Sequence, residues 1–396
     1  MKIGCTLALA LSICLLQAQV PDVYIVNGSR LAKLKQQWQQ KDKTITGPVQ
    51  QLLQEADSLL QMKPVSVMEK AFLPVSGNRH DYMSQAPYFW YDSSRPNGLP
   101  YLRRDGQRNP EIYKITDRSN LGKLETASKT LAVAWYLTNN ENYAAKAATL
   151  LNTWFLDTAT RMNPNLDYGQ AVPGVNTGRG IGIIETISLT GIADAAALLK
   201  GAPGWTAAQH TALQHWYRQY LEWMLSSKNG REEHAAKNNH GTWYYAQAID
   251  FALFTGQQDK AIALVNESKK RLDSQLTAEG QQPLELERTN GLGYSTMNLR
   301  GWFTVATLAE KTGNDLWNYH TPNGAGLRTA LDWLLPFAAG EKKWSYQQIS
   351  KYNAPAEFYP LLLQAAEDFK EPAYLKAAQQ MNNGKASVFT TVLYSH

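Results

Sequence analysis

Residues 124–155 read LETASKTLAVAWYLTNNENYAAKAATLLNTWF, and this stretch decides the fold. Apolar residues recur at helical spacing up to Leu137, a polar turn follows, and a second helical run begins near Glu141. The pattern is an antiparallel helical hairpin, and it recurs along the chain. One copy, WYYAQAIDFALFTGQQDKAIALVNESKKRL, starts at Trp243 and turns at Thr255-Gly256. Another runs from Asn298 through LAEKTGNDLW and turns at Thr312-Gly313. A further copy turns near Phe369 in LLQAAEDFKEPAYLKAAQQM. The turns at Thr255, Thr312 and Phe369 fall 57 residues apart. A hairpin from Ile187 to Leu225, turning around Gly201-Pro203-Gly204, fills the gap before them. Two more helices come first, near Ser29–Asp42 and Gly47–Met62. Serial hairpins with little strand signal predict an all-α fold, an (α/α) toroid in one domain with inner helices lining a cleft and outer helices covering them. Periodicity alone also allows an open α-solenoid that binds protein.

Two long irregular segments argue against the solenoid. The first, from Pro74 to Pro110, contains APYFWYDSSRPNGLPYLRRDGQRNPE up to Glu111. The second, residues 163–182, reads NPNLDYGQAVPGVNTGRGIG. Loops this long in a compact domain are functional or disordered, and their aromatic and basic content favours function. No low-complexity linker divides the chain.

The bulk numbers narrow the function. Of 396 residues, 44% are hydrophobic, enough for a sizeable core. Twenty Tyr and 12 Trp offer flat apolar faces with polar tips, suited either to a helical core or to sugar rings. The formal charge of +5 agrees with an anionic substrate, and the basic residues are not blocked together as nucleic-acid binding would require. Lys2, the apolar run from Ile3 to Leu16 and the small residue Ala18 read as a cleavable export signal over residues 1–18, leaving one domain at 19–396 in the periplasm or outside the cell. The run is too short for a membrane span, and Ile13 before Cys14 fits lipoprotein cleavage poorly. Cys5 and Cys14 are the only cysteines and both lie in this segment, so the mature chain has no disulfide, Cys-ligated metal or thiol nucleophile. Oligomeric state is open.

Two motifs carry the chemistry. The first, NNHGTWYY at residues 238–245, stands directly before a helical run. One of Asn238 and Asn239 caps that helix. Asn239, His240 and Trp243 together offer an amide, an imidazole and an indole, with Gly241 allowing close approach. A helix start also favours a carboxylate ligand. The second, PLELERTNGLGYS at residues 283–295, places Arg288 and Tyr294 on either side of a Gly-containing turn. Read singly, Arg288 is also explained by an ion pair with Glu285 or Glu287, and Tyr294 by a core aromatic.

Together these motifs resemble the alginate lyase family, which includes polymannuronate and glucuronan lyases. The Asn-Asn-His-Gly run at Asn238 to Gly241 resembles the family's Asn-His motif, and Pro283 to Arg288 with Tyr294 its Arg-Tyr motif. The runs at Asp81, Gly98 and Gln170 are similar to family segments too. The resemblance spans about Pro74 to Asn353. It implies an (α/α) barrel, a β-elimination mechanism and an exported enzyme acting on an anionic uronate polysaccharide. The Arg288–Tyr294 spacing resembles the glucuronan-cleaving relatives more than the narrow polymannuronate enzymes.

Elimination chemistry gives each residue a role. The proton on C5 of a uronate is poorly acidic while its carboxylate is charged, and donors that neutralise that group lower the barrier. Asn239 and His240 suit this role, with Arg288 assisting. In β-linked mannuronate and glucuronate H5 and O4 lie on one side of the ring, so one residue can take the first proton and supply the second. Tyr294 is the candidate. Its phenol must be acidified to act as a base, and Arg288 and a charged His240 would favour the phenolate. For substrate binding the expectation is Tyr88, Trp90, Arg103 and Arg104 from the first loop, Gln170 and Arg179 from the second, and Trp243 and Tyr244 stacking a sugar. Core packing would equally explain Tyr88 and Trp90, and an ion pair with Asp105 one of the two arginines. No metal or cofactor is required. There is no HExxH run, and His210 and His215 are spaced wrongly to share a helix face. Two rivals remain: a helical-toroid glycoside hydrolase using Glu185 with Glu285 or Glu287, and a non-catalytic uronate-binding protein.

Overall fold

Short polar side chains start several of the helices. Asn27 accepts from Arg30 N (3.1 Å) and Asp42 from Thr44 N (2.9 Å); Asn140, Thr206, Ser227 and Asn238 act likewise farther on. Each satisfies a backbone donor that the first helical turn leaves unpaired. The computed structural model describes residues 19–381 and 388–393. The export-signal reading, with Cys5 and Cys14, lies outside the described residues.

The helices are α1 (Gly28–Gln39), α2 (Lys43–Leu59), α3 (Asp117–Thr138), α4 (Glu141–Leu151), α5 (Ser188–Leu198), α6 (Ala207–Ser226), α7 (Lys228–Ala235), α8 (Asn239–Phe254), α9 (Gln258–Gln275), α10 (Pro283–Leu286), α11 (Gly291–Glu310), α12 (Leu327–Ala338), α13 (Ala354–Glu357), α14 (Tyr359–Asp368), α15 (Pro372–Met381) and α16 (Val388–Leu393). The hairpins α3–α4, α5–α6, α8–α9 and α14–α15 fall where the sequence pattern put them. The Asp42 cap starts α2 at Lys43, four residues ahead of the expected Gly47. The hairpin expected at Thr312 is only half formed. After α11 the chain runs irregularly to Leu327, because Asp315 accepts from Asn318 N (3.0 Å) and Asn323 from Ala325 N (3.2 Å), turns that compete with helix.

The chain forms an all-α toroid. An inner row, α3, α5, α8 and α11, packs side by side, and α8 touches α5, α6, α9 and α11 at once. That position explains why nearly all of α8 is buried. Gln364 on α14 donates to Thr307 on α11 (2.8 Å), extending the row. The ring closes where Arg30 of α1 pairs with Glu367 of α14 and where α16 packs on α1 and α2. At or just past the C-termini of the inner helices stand left-handed residues: Asn139, Gly201, Gly256, Gly313 and Lys370. The last three keep the 57-residue spacing, so the repeat is at bottom a repeat of helix ends.

The core is aromatic. Phe155, Trp216, Tyr217, Tyr220, Phe251 and Phe254 interlock edge-on and stacked. Half of the tryptophans (Trp154, Trp205, Trp216, Trp243, Trp302 and Trp317) are buried there. The N-terminal strap crosses the mouth at the inner helices' C-terminal ends. Backbone N–H groups of Tyr24, Ile25 and Val26 donate to the fully buried Asp194, and the Tyr24 ring stands edge-on to Phe254.

At the opposite mouth the two irregular segments join. β1 (Met83–Gln85) pairs in parallel with β4 (Tyr168–Ala171), and β2 (Phe89–Trp90) pairs antiparallel with β3 (Leu102–Arg103). A fully buried ion pair, Lys70 Nζ to Asp117 Oδ2 at 3.0 Å, ties the approach to these strands to the start of α3. Met83 N donates to the same Asp117 oxygen (3.0 Å).

Candidate active site

The N-terminal ends of the inner helices converge on one cleft of about 420 Å³. Arg118 is the second residue of α3. Ile181 and Ile184 lie on the 3-10 turn leading into α5. Asn239 and His240 open α8, and Tyr294 stands in the first turn of α11. Unpaired N–H groups and aligned peptide dipoles make helix N-termini electropositive. Arg103, Arg108, Arg118, Arg179 and Arg288 line the same cleft, and its described lining includes no Asp or Glu. The site is built for an anion.

Asn238, not Asn239, caps α8: its side-chain oxygen accepts from His240 N (3.3 Å). Asn239 is thereby free for the floor of the cleft, where Glu285 holds it twice, through its backbone N (2.6 Å) and its Nδ2 (2.7 Å). Glu285 is 1% exposed. Burial pushes its carboxyl up, and the two Asn239 bonds pull it part of the way back. An acceptor-only carboxylate forces the amide of Asn239 to present Nδ2 to it, leaving that nitrogen's second hydrogen uncommitted. His240 Nδ1 lies 2.8 Å from the buried Glu233. In a neutral ring this fixes the proton on Nδ1 and leaves Nε2 with a lone pair; in a charged ring Nε2 is a donor. Glu233 reaches the ring because α7 runs close beneath α8. A Cβ on Gly241 would stand 2.1 Å from Ala236 O, so only glycine permits this approach.

Arg288 lies face-on over the Tyr294 ring, its guanidinium carbon 3.8 Å from the centroid. Tyr294 OH donates to Tyr88 OH (2.8 Å). The expectation that neighbouring cations would acidify this phenol is not met, although Arg288 alone pulls in that direction. Burial pushes it well above its ordinary value, Tyr88 adds to that, and the pull of Arg288 does not compensate.

Tyr88, Arg103, Gln170 and Arg179 all line the cleft, as the sequence suggested. Arg103 is also paired with Asp105 (2.6 Å). Gln170 sits at φ 50°, rare for a residue with a side chain. Its N donates to Ser84 Oγ (2.7 Å), its Oε1 accepts from Arg179 (2.9 Å), and Ser84 in turn donates to Glu185. Burial lowers the basicity of Arg179, and Arg103 adds to this. Trp90 and Arg104 stack on each other at 5.4 Å outside the cleft's lining.

Trp243 and Tyr244 correct the expectation. They are 3% and 2% exposed and stand behind the cleft wall; Tyr244 OH donates to Met224 O (3.2 Å). Neither can stack a sugar. Three residues from His240 along a helix, Trp243 lies one turn deeper, and depth is invisible to spacing. The hydrolase pairing also fails. Glu185 is held by Tyr82 and Ser84 and Glu285 by Asn239, while Glu287 is exposed and does not line the cleft. Among the described residues no two carboxylates line the cleft, as glycoside hydrolysis requires. Sequence reasoning missed Arg108, Arg118, Glu233 and the binding role of Glu285. Arg108 lay inside the quoted RRDGQRNP run, but the others carried no local signal.

Residues 66–344 match the family described as Alginate lyase. Among solved structures, the chain is similar to an alginate lyase from Bacteroides ovatus, with 38% identity over 95% of this chain and 100% of that one and a TM-score of 0.90. It is similar in fold to a histidine-to-alanine variant of alginate lyase A1-III complexed with tetrasaccharide (15% identity, 96% of this chain, 98% of that one, TM-score 0.62). The likeness extends to alginate lyase A1-III from Sphingomonas species A1 (15% identity, 87% and 94% covered, TM-score 0.53). No curated protein sequence matches the chain.

Proposed function

This chain belongs to the alginate lyase family and is a polysaccharide lyase, and from that premise we propose that it cleaves β-1,4-linked uronate polymers, polymannuronate or glucuronan, by syn β-elimination with Tyr294 as the proton-transfer residue. The observation that carries the reading is the convergence of Asn239, His240, Arg288 and Tyr294 on one arginine-lined cleft whose described lining holds no carboxylate. The uncommitted N–H of Asn239 and a charged His240 Nε2–H take the uronate carboxylate. The Tyr294 phenolate then removes H5. The electron pair released at C5 forms the C4=C5 double bond, the C4–O4 bond breaks, and the Tyr294 phenol returns its proton to O4. Charge appears on the C5 carboxylate during the first step, where these donors and the helix N-termini stabilise it. Because burial holds the resting phenol protonated, turnover rises with pH as the phenolate becomes available.

One observation favours a second reading. The Glu233–His240 contact makes a neutral His240 a base at Nε2, while the buried Tyr294 is in the form of an acid. That pairing suits anti elimination, in which H5 and O4 leave from opposite faces, as in guluronate. The export reading belongs to the proposal too: the enzyme meets its polymer in the periplasm or outside the cell, and the exported protein begins at Gln19.

The test is ultraviolet absorbance of the unsaturated product on polymannuronate, glucuronan and polyguluronate, with wild type beside Tyr294→Phe and His240→Ala. Product from a β-linked polymer, lost by about 10²–10⁴-fold in Tyr294→Phe, is the expected result. Product from polyguluronate alone moves the base to His240. Reducing ends without absorbance sink elimination altogether.

A further inference from the structure

Asp105 follows the β2–β3 hairpin and reaches across the cleft to the turn before α11. Its carboxylate takes Arg288 through two edges, Nε to Oδ2 (3.1 Å) and Nη2 to Oδ1 (2.8 Å). The same carboxylate accepts from Thr289 N (3.4 Å), Thr289 Oγ1 (3.0 Å) and Arg103 Nη2 (2.6 Å). The side chains of Arg288 and Asp105 are only 16% and 19% exposed. A fork-on-fork pair of this kind fixes the plane of a guanidinium as well as its position. The plane fixed here lies over the Tyr294 ring. With Nε–H and one Nη2–H committed, Arg288 keeps its other Nη2–H and the Nη1 hydrogens, and its face reaches Tyr294.

We propose that Asp105 is a positioning residue of the elimination, holding Arg288 face-on to Tyr294 and setting how much of the Arg288 charge the phenol feels. The inference rests on the reading of Tyr294 as the proton-transfer group. Asp105 is well suited to the second part of the role. Burial alone would push its carboxyl up, but the Arg288 bonds outweigh that and leave it below the usual carboxylate range, so it remains charged throughout the working pH range. At Tyr294 the two charges act in opposite senses, Arg288 drawing the phenol down and Asp105 raising it. Tyr88, from the segment before β2, bonds Tyr294, and Arg103 from β3, Arg108, Arg118 from α3, Arg179 from the second loop, and Asn239 and His240 from α8 line the same cleft. Among the described residues Asp105 is the one anion hydrogen-bonded to the cation on the Tyr294 ring.

A docking latch and a charge-setting clamp predict different outcomes. Asp105→Asn keeps the shape and one acceptor for Arg288 but removes the charge. The experiment measures kcat and kcat/KM against pH for the full mature chain on its best uronate polymer, with melting temperature recorded alongside. In Asp105→Asn the ascending limb shifts to lower pH by about half a unit to one unit, since a cation beside a phenol lowers its pKa when it is not offset. Its kcat falls about tenfold at the optimum while KM changes less than threefold. Asp105→Glu, which keeps the charge and displaces the guanidinium, lowers kcat and does not move the limb to lower pH. A folded Asp105→Asn enzyme with an unmoved limb overturns the proposal. So does a limb that moves equally in Asp105→Glu, or an Asp105→Glu enzyme with wild-type kcat, a result that decides the matter even where Asp105→Asn does not fold. Tyr294→Phe separates the two layers. If it retains turnover, the Tyr294 reading fails; if it is inactive and the Asp105→Asn limb stands still, only the clamp fails.

Discussion

Replacing Glu285 with Gln should leave stability intact and damage catalysis. Glu285 accepts two bonds from Asn239, at 2.6 and 2.7 Å. In Glu285→Gln the single amide oxygen goes to the backbone N–H of Asn239. The new NH₂ then faces Asn239 Nδ2, donor against donor. A buried unsatisfied donor costs about 1–3 kcal/mol, so the Asn239 amide turns over, presents its oxygen to Gln, and carries its hydrogens away from the substrate carboxylate. A bias of that size makes the productive orientation about 5- to 150-fold rarer, and kcat should fall by a similar factor. Stability moves the other way. Burial raises the folded-state pKa of Glu285, so the stability present with the neutral acid below the unfolded pKa is lost as pH rises through the folded one. Gln is neutral at every pH and removes that loss. The melting temperature of Glu285→Gln should therefore equal or exceed that of the wild type at neutral pH. The assay is initial-rate ultraviolet absorbance on a β-linked uronate polymer, paired with calorimetry. Activity within twofold of wild type would refute the reasoning, as would a melting temperature lowered by several degrees.

Trp243→Ala should cost about 3–5 kcal/mol in a denaturant titration, because Trp243 is 3% exposed; whatever protein stays folded should keep the wild-type KM, whereas a sugar-stacking role would raise it. Asp368 is pushed up to about 7 by burial, with Glu310 and Glu367 adding to it. Its neutral form contributes stability that is complete below its unfolded pKa and lost as pH rises through about 7, so Asp368→Asn should raise the melting temperature at about pH 8.5 and leave it unchanged at about pH 4.

The architecture was legible because a toroid of hairpins is written locally. Each hairpin needs one apolar stripe per helix, a capping side chain and a residue able to turn left-handed at the end, and Asn140, Gly256 and Gly313 supply these within a few positions of where they act. Where a local signal misled, as at Thr312, side chains of Asp315 and Asn323 bonded to the turn backbone and held the chain out of a helix. The residues that line the cleft were legible for a similar reason: Asn239, His240, Arg288 and Tyr294 stand in two short runs at helix starts that hold more polar groups than a cap requires.

What only the tertiary structure decided is which groups stand behind those four. Glu285 reads in sequence as a partner of Arg288, yet it lies beneath Asn239, 46 positions away. Asp105 reads as the partner of a neighbouring arginine, yet it also clamps Arg288, 183 positions away. Arg118 belongs to the cleft because α3 begins at the same mouth as α8 and α11. Trp243 and Tyr244 reverse the case, sitting in a motif that lines the cleft while packing into the core. Helix periodicity specifies a direction around one axis. Depth, and the partner found across a ring of helices, follow from how separate axes pack, and no window of sequence contains that information.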